Sequence, residues 1–164
     1  MDLYGWVVVA HVSAVIFALA AHGVSMFAMF QVRKETDRAR LAAILDLSSS
    51  SLAAAGIGLL VAFVLGIVAS VIGGHFSRFW PWASIIVLIV VAGSMTPLAT
   101  APMARVRHAL GRPVPGDRIG QTAGAPGTDE ELATALAGVQ PALPAAIGAA
   151  GIVILVWLMR AKPF

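Results

Sequence analysis

Two histidines, His11 and His22, lie inside an apolar segment that carries no Lys, Arg, Asp or Glu from Leu3 to Val32. In an α-helix their side chains point about 20° apart around the axis and lie about 16 Å apart along it. Imidazole is a common ligand of metal ions and of haem iron. A buried imidazole is also costly when it has no hydrogen-bond partner. The pair therefore indicates either a cofactor site or a contact between helices.

The side of this helix that carries the histidines is otherwise formed by small or soft residues. They are Ala14, Val15, Ala18, Ser25, Met26 and Met29. The opposite side carries residues suited to lipid, namely Ile16, Ala20, Val24 and Phe27. A second apolar segment has small residues at fourfold spacing: Gly58, Ala62, Gly66 and Ser70. Because small residues let membrane helices approach closely, we expect these two stripes to pack together.

The composition places these helices in a membrane. The 164 residues are 59% hydrophobic and 12% charged, whereas soluble domains have about 25% charged residues. Four apolar runs are long enough to cross a bilayer, at residues 6–30, 51–72, 83–101 and 142–159. The sequence predicts an all-α fold, a four-helix transmembrane bundle, as a single transmembrane domain over residues 1–164. We expect Asp46 or the serines of 45–52 to cap the second helix, and Pro97 to kink the third.

The loops differ in positive charge. The loops after the first and third spans hold eight basic residues: Arg33, Lys34, Arg38, Arg40, Arg105, Arg107, Arg112 and Arg118. The opposite side holds three: Arg78, Arg160 and Lys162. Because basic loops are retained in the cytoplasm, both termini are expected on the outer side.

The cytoplasmic linker 102–140 has two parts. Residues 111–127 are rich in Gly and Pro, which predicts a flexible segment. Thr128 and Glu131 have the spacing of a capping box, which predicts a short surface helix at 129–139.

Two candidate sites follow from the depth of residues within the spans. His22 and Met95 in the third span have similar depth, and Met26 lies one turn further along from His22. Together they form a set with soft sulfur ligands that suits haem b or copper. His11 lies toward the outer surface, where the loop histidine His75 could join it. The candidate cofactor ligands are thus His11, His22, Met26 and Met95, and the candidate metal ligands are His11, His22 and His75.

Each of these residues also has a structural interpretation. A neutral intramembrane histidine can hydrogen-bond to a neighbouring helix, a methionine can fill the core, and His75 and His108 can be solvated loop residues. The sequence indicates no catalytic set, because the spans contain no carboxylate and no serine stands beside a base and an orienting group.

The stretch "HVSAVIFALAAHGVSMFAMFQVRKETDRARLAAILDLSSSS", followed by an apolar span and "GGHFSRFWPW", resembles an uncharacterised family of predicted bacterial integral membrane proteins. That family is grouped with the copper resistance protein D-like superfamily, and the resemblance covers roughly residues 5–110. It implies a bundle of at least four helices in the bacterial cytoplasmic (inner) membrane, with His11 at the position most like a shared first-helix histidine. Relatives include copper-handling proteins and a haem-binding protoporphyrinogen oxidase, but the third span here has no counterpart of the lysine usual in the oxidases.

Three hypotheses for function remain open from the sequence. The first is a non-enzymatic accessory or scaffold membrane protein. The second is a b-type haem or copper-binding redox protein that uses the first-helix histidines. The third is a small-solute carrier that works as an oligomer, based on Pro97 and the neighbouring hydroxyls of Ser94, Thr96 and Thr100. The expected partners are the lipid bilayer and a homo-oligomer or larger membrane complex, and not nucleic acid, because the basic residues flank the spans and form no patch.

The charge asymmetry makes a prediction about topology. A reporter fused at residue 120 should read cytoplasmic, and one fused after Phe164 should read external, because the more basic loops stay inside. Alkaline phosphatase activity measures the external position, and green fluorescent protein fluorescence measures the internal one. Opposite signals at the two positions would contradict the orientation.

Overall fold

A computed structural model describes residues 2–114 and 124–163. In this part of the chain the elements are α1 (Leu3–Val32), α2 (Arg38–Ile72), a short 3₁₀ helix (His75–Ser77), α3 (Trp80–Ala109), α4 (Asp129–Ala137) and α5 (Ala142–Ala161), with no strand. Four helices are long and apolar enough to cross a membrane. The predicted all-α fold with four spans is confirmed.

The helix α2 begins much earlier than the sequence predicts. It starts at Arg38, where the Asp37 carboxylate accepts a hydrogen bond from the Arg40 N–H at 2.8 Å. The prediction that Asp46 or the serine run caps this helix is wrong, because both lie inside it. The apolar-run criterion marks only the part of a helix that suits lipid, whereas α2 continues beyond it on a face that carries the fully buried Leu41 and Leu45.

Helices α1 and α2 pack along the two stripes of small residues. A Cβ at Gly58 would lie 2.8 Å from Phe17 Cδ1 and 3.2 Å from the Ala18 Cα, so the backbones are in close contact. Further along, the hydroxyls of Ser25 and Ser48 are hydrogen-bonded at 2.9 Å. The predicted contact between the two stripes is confirmed.

The two sides of α1 have the burial that the sequence predicts. Ala18 and Met29 on the histidine side are 5% and 2% exposed, whereas Ile16 and Phe27 on the opposite side are 63% and 65% exposed. The large exposed residues suit contact with acyl chains.

Helices α3 and α5 form a second antiparallel pair. Gly148 of α5 lies under the thioether of Met95, and Gly151 lies under the side chain of Val91. Helix α3 is continuous through Pro97 and Pro102. Such prolines are tolerated in membrane helices where other groups satisfy the backbone.

The two helix pairs meet mainly at their ends. At the basic end a compact cluster of buried residues, the cap core, joins α1, α2, α3 and the α4 region: Met29, Val32, Leu41, Leu45, Val106, Leu132, Ala135 and Val139. Near the middle of the spans, α2 and α3 are separated by an apolar groove of about 310 Å³ that Leu60, Phe63 and Ile89 help to line.

The linker folds back onto the cap core through α4. The capping box is present: the Thr128 hydroxyl accepts from the Glu131 N–H, and the Glu131 carboxylate accepts from the Thr128 N–H at 2.7 Å. The predicted helix therefore forms and ends at Ala137, two residues before the predicted end. Arg38 holds this segment by donating to the Gly127 carbonyl at 2.9 Å and to Asp129 at 2.7 Å. Of the predicted flexible segment 111–127, residues 115–123 lie outside the described residues.

Arg107 joins the two pairs next to the cap core. Its guanidinium is buried and donates to three acceptors of α2: the Leu45 carbonyl at 2.5 Å, the Ser49 hydroxyl at 2.7 Å and the Asp46 carboxylate at 3.2 Å. Arg112 reaches the same carboxylate from a more exposed position.

Replacement of Arg107 should therefore loosen the two pairs. We expect Arg107→Ala to lower the free energy of unfolding by about 2–4 kcal/mol, because the charged hydrogen bonds of a buried guanidinium to α2 are lost. Arg112→Ala is the matched control and should cost less than about 1 kcal/mol, because an exposed ion pair contributes little. Thermal unfolding in detergent, followed by circular dichroism, compares the two. Equal losses would contradict the role given to Arg107.

Candidate functional site

His11 lies in the contact between α1 and α2. Its Nδ1–H donates to the Ala62 carbonyl at 2.8 Å, because a carbonyl can only accept. The ring lies on Gly66, where a Cβ would be 3.0 Å from His11 Cε1. The small residue at 66 thus makes room for the imidazole. This bond places a proton on Nδ1 and orients the ring, so that Nε2 is the other ring nitrogen available for contacts.

His22 and the two methionines proposed to act with it, Met26 and Met95, contact different parts of the bundle. His22 is partly buried on α1 and makes no hydrogen bond or ion pair to the described residues. Met26 packs against the cap core. Met95 is directed toward α5, with its Sδ 3.1 Å from the position of a Cβ on Gly148. Met95 therefore contacts a helix other than the one that carries His22.

The hydroxyls of α3 that motivate the carrier hypothesis bond within their own helix. Thr96 donates to the Ala92 carbonyl at 2.7 Å, and Thr100 donates to the Thr96 carbonyl at 2.8 Å. Ser94 likewise donates to the Val91 carbonyl at 3.1 Å.

His75 belongs to an aromatic cluster at the end of the bundle opposite the cap core. Its Nε2 and the Tyr4 hydroxyl are hydrogen-bonded at 3.1 Å, and its ring centroid lies 5.5 Å from that of Trp80. The Lys162 ammonium lies over the Trp80 ring, 5.5 Å from its centroid. Four chain segments meet here, and both ends of the described chain lie at this end of the bundle. We call these four residues the aromatic clasp.

The predicted metal ligands occupy separate places in the described part of the chain. Because α1 is one continuous helix, His11 and His22 lie about 16 Å apart along it. His11 bonds to α2, and His75 bonds to Tyr4. No group of three or more His, Cys, Asp or Glu side chains suited to a metal ion occurs among residues 2–114 and 124–163. Ligation by these residues stays a prediction.

The ion pair between Arg107 and Asp46 was not predicted from the sequence. The sequence pattern indicates only a topology marker for the arginine and a helix cap for the carboxylate. A signal was present, because the two opposite charges lie at the same end of neighbouring spans. Their separation of 61 residues hides the pair from any local pattern.

No family model, curated protein or solved structure matches the chain.

The aromatic clasp should respond to acid. Burial lowers the pKa of His75 below its ordinary value of 6.5, and the positive charges of Lys162 and Arg78 lower it further. The unfolded chain therefore binds the proton more readily than the folded one, so stability is full above about pH 6.5 and is lost as the pH falls through the lowered pKa.

We expect the unfolding temperature to fall between about pH 7 and about pH 5, and His75→Gln to reduce that fall. His108→Gln is the control, because His108 is exposed at the end of α3. Thermal melts across this pH range measure the effect. If the unfolding temperature of His75→Gln falls with pH as steeply as that of the parent, other groups cause the acid response.

Proposed function

We propose that the chain is a non-enzymatic accessory or scaffold protein of the bacterial cytoplasmic membrane, with both termini on the outer side. The observation that supports this most directly is the use of His11, the residue best suited to a cofactor. Its Nδ1–H bonds to the Ala62 carbonyl, and its ring fills the space over Gly66. Both features serve helix packing.

The other polar contacts between helices support the same proposal. Arg107 bonds α3 to α2, Arg38 bonds α2 to the start of α4, and Tyr4 bonds α1 to His75. Each connects segments that are distant in sequence. A protein whose strongest polar contacts fix its own helices is well suited to hold a constant shape for other membrane components.

A histidine-ligated haem or copper is the second candidate, because the same His11 bond favours it. Histidines that bind metals usually donate their other N–H to a carbonyl or carboxylate, which orients the ring. The Ala62 carbonyl would have this role and leave Nε2 free to ligate. His22 and Met95 fit a shared site less well, because the Met95 thioether packs on Gly148.

Substitution of the two first-helix histidines separates the candidates. Under the scaffold proposal, His11→Phe should destabilise the purified protein by about 1 kcal/mol, the scale of a hydrogen bond between membrane helices. His22→Phe should have little effect, because that ring has no hydrogen bond to the described residues. Both variants and the parent should lack a Soret band and bound copper, as measured by visible spectroscopy and metal analysis after expression with haem and copper supplied.

A Soret band or one equivalent of copper that His11→Phe abolishes would replace the scaffold proposal with the second candidate. Under the scaffold proposal, the protein should be recovered in an assembly larger than the 16.9 kDa chain when native membranes are solubilised in mild detergent. Native electrophoresis with an antibody against the chain measures it. Recovery of the monomer alone would contradict the role.

A further inference from the structure

A second groove lies between α3 and α5, next to the cap core. It has a volume of about 240 Å³, and its apolar walls include Leu98, Ala101 and Pro102 of α3 and Leu143 of α5. Arg105 and Gln140 form its polar part. No carboxylate lines it. The groove therefore combines an apolar wall with one positive charge.

Arg105 differs from the three ion-paired arginines around the cap core. Arg38, Arg107 and Arg112 are paired with Asp129 or Asp46. Arg105 is exposed and has no hydrogen bond or ion pair to the described residues, and the same holds for Gln140. The two side chains that line the polar part thus have donors available for a ligand.

The start of α5 lies at the same groove, where Leu143 and Pro144 line it. Helix α5 begins beside it without a side-chain cap. An anionic group in the groove would pair with the Arg105 guanidinium, and the uncapped start of α5 would favour its negative charge.

The position of Arg105 along α3 matches the headgroup layer of a bilayer. Trp80, at the start of α3, lies in the aromatic clasp at the opposite end. The rise along α3 from Trp80 to Arg105 is about 37 Å, which exceeds a hydrocarbon core of about 30 Å. Pro97, which also lines the groove, lies about 12 Å closer to the bilayer centre. The apolar walls therefore lie at the depth of acyl chains and the guanidinium at the depth of phosphates.

We propose that this groove binds an anionic phospholipid. The Arg105 guanidinium and the Gln140 amide contact the phosphate, and one acyl chain lies along Ala101 and Leu143. This inference rests on the membrane location and is independent of the scaffold and cofactor candidates.

Native mass spectrometry of the full chain in detergent, titrated with phosphatidylglycerol, tests the site. Arg105→Gln should weaken binding about fivefold, which corresponds to about 1 kcal/mol per basic residue near an anionic lipid. Ala101→Phe should also weaken binding, because the ring occupies the groove while the charge remains. Arg33→Gln, at the exposed end of α1 on the same side, is the matched control and should leave the affinity unchanged.

Three results would overturn the proposal. Equal weakening by Arg33→Gln would assign binding to general surface charge. Equal affinity for phosphatidylcholine would remove the anionic selectivity. Competition by free glycerol phosphate at the same concentration as the lipid would remove the contribution of the acyl chain. Circular dichroism of each variant before titration ensures that folded protein is compared, and Gln140→Leu provides a further variant if Ala101→Phe fails to fold.

Discussion

The contact between Arg107 and α2 is the interaction on which the arrangement of the two helix pairs depends. Within a bilayer, helices gain little by burying apolar surface against each other, because lipid tails are equally apolar. The groove between α2 and α3 shows how little the middle of the spans contributes. A guanidinium with three acceptors on α2 supplies a directional contact that lipid cannot replace. The position of the α3/α5 pair relative to the α1/α2 pair is therefore set by contacts at the ends of the helices.

Inside each pair, close packing at small residues holds the helices together. Gly58 and Gly66 bring α1 against α2, and Gly148 and Gly151 bring α5 against α3. Such contacts depend on close van der Waals packing, which falls off steeply when a larger side chain intervenes. Packing by small residues fixes the pairs, and polar bonds at the two ends join them.

This division explains which features the sequence predicts. The stripes on α1 and α2 follow from helical periodicity, so Ala18 and Gly58 were placed correctly. The capping box at Thr128 is equally local. The start of α2 was missed because its first turns carry Arg38 and Arg40 beside Leu41, a pattern outside the apolar-run criterion. The Asp46–Arg107 pair and the direction of Met95 depend on which helix faces lie against each other, and the periodicity of one span does not determine that.

Arg105 of the lipid groove and Arg107 lie on the same turn of α3. Two residues apart on a helix, their side chains point about 160° apart when viewed down the axis. One turn of α3 thus directs Arg107 into α2 and Arg105 toward Gln140 and α5. A phospholipid at Arg105 would bridge α3, the end of α4 and the start of α5 without touching the bond to α2. Because the α3–α2 contact and the α3–α5 groove use opposite faces, lipid would tighten the second pair and leave the Arg107 bond to the first pair unchanged.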